Sequence, residues 1–92
     1  MDSSTTEAFV NQMWDESIIP ELCEYIKVPN KSPMFDPDWA KHGHMDRAVE
    51  MLEKWCLEQP INGMTTEVIR LEGRTPILFM EIPGDSDDVV LL

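Results

Sequence analysis

The sequence predicts an α/β fold, two N-terminal helices packed on a small sheet of about three strands. Two observations carry this. Apolar residues recur at spacings of three and four up to about residue 58, then alternate over residues 64–71. Pro60, Gly63, Gly73, Pro83 and Gly84 cut the second part into short pieces, each of strand length. The chain has 92 residues, enough for one domain.

The first helix is expected over about residues 5–27. Ser4-Thr5-Thr6-Glu7 fits a capping box, with Ser4 as N-cap and Glu7 three residues on. Phe9, Met13, Ile18, Ile19, Leu22, Cys23 and Ile26 then mark one buried face. Pro20 interrupts the run, so either the helix kinks or a second helix starts with Pro20 in its first turn. Val28-Pro29 ends it, because the residue before a proline avoids helical angles. Residues 29–39 hold three prolines and read as a loop pinned to the body by Phe35 and Trp39. The second helix is expected over about residues 42–58, with Ala48, Met51, Leu52, Trp55 and Cys56 inward and Pro60 and Gly63 as the stop.

Strands are expected at about 64–71, 76–82 and 88–92. Thr66 and Val68, with Arg70 beyond them, share a face of the first. The short link Glu72-Gly73-Arg74-Thr75 makes the first two an antiparallel hairpin. Val89-Val90-Leu91-Leu92 is wholly apolar, as in a strand covered on both faces. An uncovered strand of this kind self-associates, and the chain is expected to do so there. An apolar strand as the last element also suits the front part of a larger protein.

Net charge is −11, from 18 acidic and 7 basic residues. A phosphate backbone would be repelled, so nucleic-acid binding is not expected. The acidity is read as a solvated surface. No apolar run approaches the length needed to span a bilayer. Residues 1–6 are polar and lack the pattern of a secretory signal. A cytoplasmic protein without a membrane partner is the expectation, and the sequon Asn30-Lys31-Ser32 is then chance. Cys23 and Cys56 sit in apolar helical surroundings and read as buried free thiols; a disulfide between them is the alternative.

Gly43-His44-Met45-Asp46 imitates a metal-binding pair. On a helix, two residues apart is a rotation of about 200°, which turns His44 and Asp46 to opposite sides. His42 and Asp46 are four apart, but Gly43 weakens the helix start between them. His42, His44 and Asp46 are therefore rejected as metal ligands, and Asp46 is read as favourable first-turn charge. Cys56 follows Trp55 on the apolar side and is no nucleophile. Asp36 and Asp38 are read as caps for the helix at Trp39. No catalytic, cofactor-binding or metal residue is expected within residues 1–92. A small metal site built from His42, His44, Asp46 and Cys56 is the weakest alternative.

Val28-Pro29-Asn30-Lys31-Ser32-Pro33, Phe35-Asp36-Pro37-Asp38-Trp39, the helix from Ala48 to Trp55, Glu72-Gly73-Arg74-Thr75-Pro76 and the strand Val89 to Leu92 follow one another in a familiar order. The chain thereby resembles the N-terminal segment of the zinc-dependent metallopeptidase family twenty, the carnosinase, aminoacylase and glutamate-carboxypeptidase type. Its nearest likeness is to the carnosinase-like dipeptidases. The resemblance implies that a Gly-His-x-Asp segment directly follows the strand matched by Val89–Leu92. There the His is a zinc ligand and the Asp orients the metal centre. The other ligands and the glutamate general base would lie further on, and none is matched within residues 1–92. The parent would use zinc to hydrolyse dipeptide-like or N-acyl amino-acid amide bonds. Residues 1–92 would be inactive scaffold whose partner is the remainder of the catalytic domain. The rival reading is a self-standing acidic binding module that pairs through its strand edge.

Overall fold

A computed structural model describes residues 2–92. Helix α1 spans Ser3–Met13, a π-helical turn follows over Trp14–Ile18, and α2 spans Ile19–Tyr25. The three form one continuous helical rod. Its N-cap is Asp2, not Ser4: Asp2 Oδ1 accepts from the Ser4 N–H at 3.1 Å and the Ser4 hydroxyl at 3.0 Å, while Oδ2 accepts from the Thr5 hydroxyl at 2.8 Å. A carboxylate has two acceptor oxygens and a charge that suits a helix N-terminus, so it displaces the serine box.

Pro20 does not break the rod. It lies in the first turn of α2. Proline has no N–H to donate and its ring crowds the carbonyl four residues back. The widened turn before it removes that conflict, and the Ile19 N–H bonds instead to the Trp14 carbonyl five residues earlier. The extra residue slips the helical phase by about 100°. The apolar face counted straight through Pro20 is therefore not buried. No residue of the rod is buried. Its half-buried residues are Thr6 and Ile18 together with the row Met13, Ser17, Glu21 and Tyr25, one residue in four. Of the expected face Met13 and Ile18 are thus partly covered, while Phe9 stays 62% and Ile26 76% exposed.

The loop from residue 29 leads to a single-turn helix α3 (Trp39–His42) and to α4 (His44–Leu57). Gly43 joins them at φ 73°, a left-handed conformation that lets one helix stop and the next start in a new direction. Trp39 is half-buried, but Phe35 is exposed and pins nothing. In α4, Ala48, Val49 and Cys56 are buried, with Met51, Leu52 and Trp55 half-buried. Val28 joins them to complete a thin core.

Strands β1 (Thr65–Ile69) and β2 (Ile77–Glu81) pair antiparallel, with Val68 opposite Leu78 and Thr66 opposite Met80. Thr66, Val68 and Leu78 are half-buried on the same face of the hairpin, and α4 packs on both strands. Arg70 lies past the end of β1, exposed, and pairs with Asp46. The fold is α/β, with two strands in its sheet where about three were expected. Residues 88–92 form no strand, and Val89, Val90, Leu91 and Leu92 are at least 83% exposed. A wholly apolar strand needs cover on both faces. A two-stranded hairpin offers an edge to pair with, and its one packed face is already taken by α4.

Candidate functional site

The histidine region is built by the turn before α3. Ser32 O accepts from the N–H groups of Phe35 and Asp36, and Asp36 O accepts from Trp39 N–H. This folds Asp36 back toward α3, where its carboxylate accepts from His42 Nδ1–H at 2.7 Å. Asp36 thus binds a side chain and is not a helix cap. Asp38 occupies the N-cap position of α3 without a side-chain cap bond and makes an exposed ion pair with Lys41 at 3.2 Å. The His42 and His44 ring centroids are 5.9 Å apart. Asp46 points elsewhere, to Arg70.

The pairing of His42 with Asp36, six residues apart across two turns, carried no period that sequence spacing could reveal. It resembles the orienting half of a His–Asp catalytic pair. Yet His42 has Asp36 as its only side-chain hydrogen-bond partner among the described residues, with no hydroxyl or thiol nucleophile on its other nitrogen. The pair ties the proline-rich loop to α3. Among the described residues no group of three or more His, Cys, Asp and Glu side chains is placed to hold a metal ion. Asp36 and Asp46 are each engaged by a partner, and the residues present do not fit a zinc site. Cys56 is buried, which pushes its thiol pKa up and keeps it protonated. Cys23 is free and exposed, contrary to the buried thiol expected, because the phase slip at the π turn carries its face away from α4.

Apolar surface is the more informative feature. Phe9, Met13, Trp55, Ile61, Met80 and Ile82 line a groove of about 550 Å³ between α1, α4 and β2. The rod meets α4 here through one buried-side hydrogen bond, from the Trp55 indole N–H to the Ser17 hydroxyl at 2.9 Å. On the opposite face of the hairpin, Ile77 and Phe79 are exposed. The accessible surface is 7876 Å², against about 5,500 Å² for a compact monomer of this mass. The radius of gyration is 16.3 Å, against about 12 Å for a compact domain of this length.

No family model matches the chain, and no curated protein matches its sequence. Among the described residues no helix is long and apolar enough to cross a membrane.

Proposed function

We infer that this chain is scaffold, the N-terminal part of the catalytic domain of a zinc-dependent peptidase or amidohydrolase of the family-twenty type. The observation that carries the reading is the unpartnered surface. The molecule exposes roughly 2,400 Å² more than a compact monomer of its mass, about one partner's share at the upper end of obligate interfaces, which bury about 2,000–5,000 Å² summed over both partners. Exposed Phe9, Ile26, Phe79 and Val89 to Leu92 are the residues such a partner would cover. The resemblance supplies the kind of partner, the remainder of a cytoplasmic catalytic domain that holds the zinc ligands and the general base. On this reading the catalytic groups lie in that remainder and not in residues 1–92. The test is direct: the purified 92-residue chain is dialysed against zinc at neutral pH and assayed on dipeptides and N-acyl amino acids. The reading expects no stoichiometric zinc and no hydrolysis. One zinc per chain, or turnover, would overturn it.

A second reading is favoured by the exposure of Val89 to Leu92. It is an acidic module that associates with copies of itself through this segment. Replacing Val90 with Lys should then raise solubility and abolish the association, read by sedimentation.

A further inference from the structure

The outer edge of β2 borders a groove of about 750 Å³. One wall is the consecutive run Phe79 to Ile82, and the other includes Asp87, Asp88, Val89 and Val90. Successive strand residues point to opposite faces, so a groove reached by four in a row opens at the strand's edge. β2 pairs with β1 on its other side only. Its outer N–H and C=O groups are an open template. Across the groove, the backbone of residues 89–92 makes no hydrogen bond among the described residues. Every charged residue on the groove is acidic: Glu81, Asp87 and Asp88.

We propose that this groove takes an extended segment of another polypeptide, added as a strand on the β2 edge, apolar and carrying lysine or arginine opposite Glu81, Asp87 and Asp88. The main chain supplies the pairing and the side chains supply the choice of partner. The inference stands apart from the scaffold reading, whose partner is the remainder of the same catalytic domain. A second copy is a poor occupant. Its own apolar extended segments, residues 77–82 and 87–92, carry Glu81 in the first and Asp87 and Asp88 in the second, with no lysine or arginine to set against the acids of the groove, and like charges facing each other destabilise a strand pair. The net charge of −11 adds to that repulsion.

The probe is an eight-residue peptide alternating valine with lysine, added to the full chain and followed by amide hydrogen exchange. Exchange should slow at the outward amides of residues 79–82, and high salt should weaken the effect. A valine–glutamate peptide of the same length should leave these amides unchanged, as should the lysine peptide with alternate amides methylated. Glu81→Lys and Asp87→Lys should each weaken binding by roughly two- to five-fold, the scale of an exposed ion pair. Both positions are exposed, and unchanged exchange across the β1–β2 pairing verifies the fold of each variant. Equal protection by the glutamate peptide would overturn the basic character of the partner. No protection by either peptide would overturn the edge as a docking site. Amides already protected in a dimer of the free chain would assign the groove to a second copy and overturn the proposal. These readouts are independent of zinc and hydrolysis, so each reading can fail without the other.

Discussion

Single residues set the turns that hold the hairpin and rod in place, and two of them make opposed demands on a side chain. Gly63 has φ 74°, and a Cβ there would lie 2.9 Å from Pro83 Cγ, the ring that closes the far end of β2 against the turn before β1. Gly73 has φ 72° in the hairpin turn, with open space where its Cβ would go. Alanine at either site meets the left-handed penalty of about 1–2 kcal/mol. Only Gly63→Ala must also displace the proline ring. Urea unfolding should therefore show Gly63→Ala losing clearly more stability than Gly73→Ala; equal losses would mean Pro83 yields freely. Asp2 gives a pH signature. Its hydrogen bonds with Thr5 and Ser4 hold its pKa below the usual 3.8. A depressed carboxyl contributes stability that is full above the unfolded value and lost as pH falls through the folded one. Helical signal from residues 3–13 should thus persist down to about pH 4 and fray below it. Asp2→Asn, which keeps an oxygen acceptor without the charge, should remove that pH dependence.

At the scale of elements, the π turn governs what the rod presents. Alanine is about 3 kcal/mol better than proline in a helix interior. Pro20→Ala should nevertheless fail to raise the melting temperature. Winding the turn as α-helix rotates one half of the rod by about 100° against the other. That breaks the row Met13, Ser17, Glu21 and Tyr25, and with it the bond from Trp55 to Ser17. A clear rise in melting temperature would show that the row carries no packing energy. The same turn explains what the sequence could and could not reveal. The helix from 44 to 57 and the hairpin were legible because each has one unbroken period and Gly or Pro punctuation. The rod's buried face was not, because an added residue shifts the phase and leaves Ile19, Leu22, Cys23 and Ile26 outside. The N-cap was misplaced by two residues because a carboxylate outcompetes a hydroxyl for the same donors. Separation of His44 from Asp46 was legible from helical rotation, whereas the His42–Asp36 contact depended on loop turns that no period encodes.

The whole molecule is a thin core under a large apolar surface. Among the described residues four hydrophobic residues are buried, Val28, Ala48, Val49 and Cys56, and the rod is tied to α4 by the bond from Trp55 to Ser17. Folding alone leaves Phe9, Ile26, Phe79 and the segment 89–92 in water. On the scaffold reading, the remainder of the catalytic domain would cover these apolar faces. The most direct measurement is the native mass and zinc content of the species that contains residues 1–92, recovered from its own cells with an antibody against the exposed loop of residues 31–38. A species far heavier than 10.6 kDa that carries zinc and hydrolyses dipeptides is the expected result. A free, zinc-less monomer of 10.6 kDa would contradict the scaffold reading.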